Sequence, residues 1–292
     1  MPSLSQLPAG LVSFAGDVFR LCLWLALLTA VFVPLERLFA LHPARILRRG
    51  VWTDLMHYFL NSLLPAALMA APLAVVAAAA NRVVPAGWQL ASQELPLWAR
   101  IMAGLIVADI GSYWGHRLSH ATPWLWRFHA VHHSAEHLDF LVNTRAHPVD
   151  LVVVRMFGLV PLTLLGLGSP GVHGSWLSIA VVLVGVLAGF FLHANVRWRL
   201  GPLEWLVATP AFHHWHHSKT DHINRNYAAT LPWIDRIFGT YYLPAGQWPA
   251  AYGITQPMPE TLGGQLASPF GPSVGGAMAQ PSGRRPPTSG PA

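Results

Sequence analysis

Two stretches decide the reading of this chain, "WRFHAVHHS" at Trp126–Ser134 and "AFHHWHHS" at Ala211–Ser218. Each carries the pattern H-x-x-H-H. A helix advances about 100° per residue, so offsets of three and four bring the rings to one face. His129, His132 and His133 form one such set, and His213, His216 and His217 another. Upstream, "HRLSH" puts His116 and His120 one turn apart. The three clusters supply eight imidazoles. A structural zinc takes about four ligands, and a haem takes about one or two axial ones. Eight neutral nitrogens suit two transition-metal ions with open positions, and imidazole serves iron, zinc, copper and nickel.

Other histidines are sorted by position. His193 ends an apolar stretch on the side of the clusters and reads as a ninth ligand. His214 sits in the slot that Ala130 holds in the first triplet and points about 100° away from His213, which suits a role behind the ligands or in packing. His147 opens an apolar stretch on the same side and reads equally as ligand or structural group. His137 and His222 follow the clusters and are read as supporting residues. His42, His57 and His173 are read as non-ligands. Of the 16 histidines, 14 lie between His116 and His222.

The surroundings are greasy. The 292 residues are 53% hydrophobic and 10% charged, and the mean hydropathy is +0.41. An ordinary soluble domain is about 25% charged, so composition points to a membrane protein. Five apolar stretches stand out, roughly 13–35, 55–80, 97–115, 150–168 and 175–194, each near the ~20 residues of a spanning helix. The first reads as a retained helix, because no basic region precedes it and no small-residue cleavage site follows.

The links alternate in charge. Those after the first and third stretches carry Arg37, Arg45, Arg48 and Arg49, then Arg117, Arg127 and Arg145. The segment after the fifth holds Arg197, Arg199, Lys219, Arg225 and Arg236. The links after the second and fourth have one arginine and none. The positive-inside rule then puts the arginine-rich links, and the histidines with them, in the cytoplasm. The net charge of +6 is read as topology, not as a nucleic-acid footprint, since the chain has a single lysine and no basic run. Residues 195–255 read as a compact cytosolic segment. From about Gln256 the chain turns to Pro, Gly and Ser, which predicts a disordered tail over 256–292.

Asp109 lies inside the third stretch, where a carboxylate is costly. It is four residues before Tyr113 and seven before His116, so the three share a face. It is expected to accept the second N–H of a metal-bound histidine. "GLGSPG" at Gly166–Gly171 matches G-x-G-x-x-G, but no strand precedes it, so it is discarded as a dinucleotide site. The chain has no H-E-x-x-H and no E-x-x-H, which excludes an ordinary zinc peptidase and a ferritin-type carboxylate site. Cys22 is the only cysteine; alone it cannot hold an iron–sulfur cluster.

"DIGSYWGHRLSH", "WRFHAVHHS", "HPVD", "HAN", "TPAFHHWHHS" and "NRNYAATLPWIDRIFGTYY" together resemble the fatty acid hydroxylase / sterol desaturase superfamily over roughly residues 50–245. The resemblance implies an all-α, integral-membrane helical bundle of four to five apolar helices, with a cytosolic helical cap holding a di-metal site. It implies a membrane helix and basic link over 1–50 and a catalytic domain over 51–255. The ligands carried over are His116, His120, His129, His132, His133, His193, His213, His216 and His217. Asp109, His147, His214 and Asn195, from the "HAN" motif, are expected behind them. Each triplet is expected to help cage one metal. The implied cofactors are two iron ions, with O2 as co-substrate. The implied reaction is hydroxylation of a lipid C–H bond, or desaturation of the same lipid. The implied partners are the lipid, the membrane and an external electron donor such as a ferredoxin, small cytochrome or reductase. The expected location is multi-pass in an inner membrane of bacterial type, metal site inward. A non-catalytic metal transporter or a membrane haem protein are the readings from another class. Both would put histidines at mid-membrane, whereas here they follow the helix ends.

Overall fold

Each of the five apolar stretches is a helix. The computed structural model describes residues 8–168, 176–220 and 222–271. The apolar helices are α1 (Ala9–Leu38) and α2 (Val51–Val83), then, after the short α3 (Ala86–Glu94), α4 (Leu97–Ala121). After the short α5 (Pro123–His133) come α6 (Pro148–Leu164) and α7 (Trp176–His193). The chain then breaks into short pieces: α8 (Pro210–His216), α9 (Trp233–Ile237) and α10 (Leu262–Ala267), with 3-10 turns at Phe140–Thr144, Gly201–Trp205 and Ser268–Phe270. No strand occurs among the described residues, which hold only two isolated bridges, Ala40–Val196 and Ser218–Tyr252.

Two helices, α1 and α2, are long and apolar enough to cross a membrane. A third span results if α3 and α4 count as one broken segment, bent by 116°. The bend falls at Leu95-Pro96, where proline ends one helix and disfavours helical backbone in the residue before it. Length and composition thus support two or three spans among the described residues. α6 is apolar but only 17 residues long, about 26 Å at 1.5 Å per residue.

The bundle is built on close backbone approach. Gly111 and Gly115 of α4 form G-x-x-x-G, the small-residue spacing that lets apolar helices touch. A Cβ on Gly111 would collide with the Phe157 carbonyl of α6, and one on Gly158 would sit 2.8 Å from Ser112 Oγ. α1 joins through aromatic contact: Phe32 stacks on Phe140 at 5.4 Å and meets Phe190 of α7 at 6.4 Å. Glu36, near the end of α1, accepts the amides of Phe140 (2.7 Å) and Asn195 (3.0 Å).

A buried ionic network links α2 to the 139–145 turn. Arg48 bonds Asp139 at 2.5 Å and Asp54 at 2.8 Å, and Arg145 also bonds Asp54. Opposite charges thus face one another around the buried Asp54, the pairing that makes buried charge tolerable.

The expected disordered tail needs correction. Residues 256–271 are folded against α2 and α5, while 272–292 lie outside the described residues. Thr53 donates to Glu260 O at 2.6 Å, and Gln265 Oε1 lies 2.8 Å from His57 Nε2. Arg49 also pairs with Glu260, and Arg127 donates to Gly271 O. This segment is held by polar side chains meeting polar partners, a signal that composition does not carry.

Candidate metal centre

α5 and α8 carry the two triplets, and both open the same way. Pro123 and Pro210 each take the first helical turn, where the missing N–H costs nothing. Thr209 caps α8 by accepting the Phe212 amide at 3.3 Å. The two short helices bring all nine histidines read as ligands into two adjoining groups. His116, His120, His129, His133 and His216 form one; His132, His193, His213 and His217 form the other. Within each group the nitrogens lie within 4.8 Å of one another.

The triplets do not serve one group each, as expected. Each is divided. In the first, His129 and His133 enter the five-histidine group while His132 enters the other. In the second, His213 and His217 enter the four-histidine group while His216 crosses over. The cause is helical rotation: i+4 falls about 40° to one side of i and i+3 about 60° to the other. The groups touch where His133 stacks on His217, with ring centroids at 4.5 Å. His116 and His120 come from the last turns of α4, and His193 from the end of α7.

The rings are aimed by what stands behind them. Nδ1 of His116 donates to Tyr227 O at 2.8 Å, His132 to Arg145 O at 2.9 Å, His193 to Gly189 O at 2.8 Å and His216 to Arg225 O at 2.8 Å. His120 Nδ1 faces Asn224 Oδ1 at 3.3 Å, and His129 Nδ1 faces Asp150 Oδ2 at 2.9 Å. A proton on Nδ1 leaves Nε2 with a bare lone pair, the form that binds metal. These bare nitrogens converge: His116 and His133 each bring Nε2 within 3.1 Å of His129 Nε2. In the second group His193 Nε2 lies 3.3 Å from His132 Nε2 and 3.1 Å from His213 Nε2. Lone pairs this close repel, and a cation between them turns repulsion into ligation. His120 Nε2 and His216 Nε2 are buried with no hydrogen-bond partner, which costs free energy unless something takes those lone pairs. Burial, then the neighbouring His129, hold the His132 imidazole down to about 4. Burial likewise pushes His133, His213, His216 and His217 well below the ordinary histidine value. The rings stay neutral, as ligation requires. The donor set fits a pair of transition-metal ions.

The residues expected behind the ligands fare differently. Asp109 does not touch a histidine. Its carboxylate accepts the backbone amides of Ala229 (3.0 Å), Thr230 (3.1 Å) and Leu231 (2.6 Å). It does share a face with Tyr113 and His116, as read, but that face docks the 224–240 segment. Tyr113 Oη meets Thr240 Oγ1 at 2.9 Å. The carboxylate that orients a histidine is Asp150. His214 donates Nε2–H to Ala194 O at 3.1 Å and accepts from Tyr252 at 2.9 Å, so it braces the chain next to His193. Asn195 bonds His42 through both ends of its amide, at 3.0 and 2.6 Å, and no imidazole. His147 accepts the Val149 amide at 3.2 Å and faces Leu266 O at 3.2 Å, outside both groups. His57 is no ligand but is fully buried on Gln265. His137 lies in neither group, and the same holds for His222, whose ring stacks on Tyr242 at 3.6 Å.

The loop 224–227 supports the ligands although no spacing in the sequence assigns it a role. It presents Asn224 Oδ1, Arg225 O and Tyr227 O to three histidines. Asn226 holds it from behind, in the left-handed region at φ 59°, which asparagine tolerates better than most residues. Its side chain donates to Phe212 O and Tyr242 O, both at 2.7 Å. Two asparagines spaced around an arginine in "NRNY" are the trace of this in the sequence.

A model of the fatty acid hydroxylase family matches residues 101–240, the span that holds all nine of these histidines. That stretch is similar to the fatty acid hydroxylase family. The chain is also similar to several characterised proteins. The ornithine lipid hydroxylase OlsE of Rhizobium tropici is 36% identical over 178 residues, 61% of this chain and 52% of that protein. Human alkylglycerol monooxygenase is 33% identical over 151 residues, 51% of this chain and 32% of that protein. Methylsterol monooxygenase 2-2 of Arabidopsis thaliana is 32% identical over 155 residues, 51% and 56% of the two chains. The match thus spans about half or less of each relative. No solved structure matches.

Proposed function

We propose that this chain is a membrane-bound, di-iron, O2-dependent oxygenase that hydroxylates a C–H bond of a lipid. The observation that carries the reading is the pair of adjoining all-histidine groups whose bare nitrogens converge within 4.8 Å. The names of the relatives, hydroxylases and monooxygenases of ornithine lipid, alkylglycerol and methylsterol, supply the substrate class.

In this reading the nine grouped histidines are the metal ligands. Bound iron would supply the redox chemistry that activates dioxygen. The chain's own part is to hold, orient and keep dry. The backbone carbonyls of Arg145, Gly189, Arg225 and Tyr227 fix the ring tautomers, and Asp150 fixes His129. Burial of both groups excludes water, which protects a reactive centre from side reactions. We take residues 1–50 as a membrane helix with its basic link, and residues 51–255 as the catalytic unit, to which the folded residues 256–271 belong. α4, α6 and α7 would complete the four to five apolar helices beside α1 and α2. The short elements after α7 would form a cap on the cytoplasmic side of an inner membrane. The lipid would approach along the apolar helices. Electrons would come from an external ferredoxin, small cytochrome or reductase.

The test is metal analysis of purified protein, paired with lipid extracts from cells making the native chain or His132→Ala. Two irons per chain and a lipid that gains one oxygen atom only with the native protein are expected. A lipid that loses two hydrogens would replace hydroxylation with desaturation. Absence of metal, with an unchanged lipid profile, would overturn the enzyme reading in favour of a binding or transport role.

A further inference from the structure

The segment that follows α7 is richer in exposed apolar side chains than a water-facing cap should be. In "GPLEWLVA" (Gly201–Ala208), Trp205 is 59% exposed and Leu206 62%, with Leu203 and Val207 exposed beside them. Ile237, at the end of α9, is 67% exposed. None of these lies in a hydropathy stretch long enough to read as a helix in the membrane.

They form one surface. Arg236 is stacked between Trp205 and Tyr241, its guanidinium carbon 3.4 and 3.6 Å from the two ring centres. Ile237 follows Arg236, and Phe238 packs on Trp114 of α4 with ring centroids at 5.0 Å. Trp114 is itself exposed on the outer side of α4. The surface therefore continues from the flank of an apolar helix onto the edge of the segment beyond α7.

Depth is set by Asp109. It stands twelve residues after Leu97 in α4, about 18 Å along the helix, and seven before His116, about 10 Å. Its carboxylate holds the amides of residues 229–231. The 229–238 segment thus runs along the flank of α4, from the level of Asp109 to that of Trp114 and Arg117, whose guanidinium donates to Phe238 O at 3.5 Å.

The charges on this edge are already accounted for. Glu204 is buried and pairs with Arg199 at 3.1 Å, and Arg236 is covered by its two rings. An acidic protein partner would find little to pair with. Tryptophan rings with a stacked arginine are what chains place at the boundary between acyl chains and headgroups.

We infer that the edge formed by residues 203–207 and Ile237 is sunk in the lipid bilayer, as an interfacial lip continuous with the outer face of α4. It meets the headgroup–acyl boundary with Trp205, while Leu206 and Ile237 enter the acyl layer. The inference rests on the reading of α2 as a membrane helix, and not on the metal or the reaction.

The test uses the full chain with Cys22→Ser, carrying one cysteine at a time labelled with an environment-sensitive dye. The positions are Leu206→Cys and Ile237→Cys, with Leu68→Cys on the exposed side of α2 and Gln247→Cys on a polar exposed turn as references. The protein is reconstituted in phosphatidylcholine vesicles. Labels are quenched either by iodide in water or by a nitroxide on the lipid acyl chain. Labels at 206 and 237 are expected to match 68, with several-fold stronger lipid quenching and weaker iodide quenching than 247. Labels at 206 and 237 that follow 247 while 68 stays in lipid would overturn the lip alone. A label at 68 that also follows 247 would overturn the membrane reading and the lip with it. Shielding from both quenchers at 206 and 237 would mean a second protein copy covers the edge, and would overturn the lip too.

Discussion

His129 Nδ1 lies 2.9 Å from Asp150 Oδ2, and both side chains are buried. Asp150 is the third residue of α6, so the helix packed on α4 also aims a ring from α5. Outer carboxylates of this kind hold tautomer and orientation. Asp150→Asn keeps the shape but can turn its NH2 group toward Nδ1, which would favour the proton on the wrong nitrogen. Metal affinity should fall about 10- to 100-fold, read by competition with a chelator. Unchanged affinity would reduce the pair to a packing contact.

His132 and His216 belong to different groups although each is the i+3 member of its triplet. Replacing His132 with alanine removes one nitrogen from the four-histidine group and leaves the five-histidine group whole. His216→Ala does the reverse. About four nitrogens suffice for one ion, so His132→Ala, which leaves three in its group, is expected to retain about half of the native metal, whereas His216→Ala, which leaves four, is expected to retain most of it. Metal analysis of the two proteins checks this. Loss of both metals from both variants would mean that the groups load only together.

Asp109→Asn is expected to act on the fold. An amide keeps one acceptor oxygen and presents a donor where Leu231 N–H now donates at 2.6 Å. Stability should drop by about 1–3 kcal/mol, the cost of a buried group left unpaired. Thermal unfolding in detergent measures it. A large loss of metal from protein still folded would restore the ligand-orienting role first expected for this residue.

Removal of residues 257–292 strips Gln265 from His57 and Glu260 O from Thr53. The truncated chain is expected to unfold at lower temperature than the native one. Gln265→Ala isolates part of this, again at about 1–3 kcal/mol for the orphaned His57 nitrogen. An unaltered melting temperature in both would show that the contact contributes nothing net.

Gly111→Val drives a branched side chain into the Phe157 backbone. Backbone cannot step aside as a long side chain can, so a loss at or beyond the ~1–3 kcal/mol of ordinary overpacking is expected. Gly10→Val, with open space around its Cβ position, serves as the control in the same melt.

The five helices were legible because long apolar runs are a one-dimensional signal. Eight of the nine grouped histidines stood out because imidazoles at helix spacing have few other uses, and His193 because it ends an apolar helix on their side. Pairing was not legible. Nothing along the chain says that His132 leaves its neighbours for the other group, since that follows from where α8 stands. Asp109 and Asp150 look alike on paper, each a carboxylate near an apolar run. Asp109 shares a face with His116, which points to it as the partner, yet that face is covered by the 224–240 segment. Span number was not legible, because hydropathy windows do not register the Leu95-Pro96 break or the 17-residue length of α6. Residues 256–271 were underread because Pro, Gly and Ser are counted as slack even where Gln265 and Glu260 anchor them.

The division of each triplet has a consequence for spacing. One turn of α5 and one turn of α8 each reach into both groups. The distance between the two positions is therefore tied to the geometry of single helical turns, about 5.4 Å of pitch, as well as to the packing of the helices that bring those turns together. Such a centre behaves as a gauge block. Strain elsewhere in the bundle can decide whether it assembles, but once assembled its two halves have only one separation available.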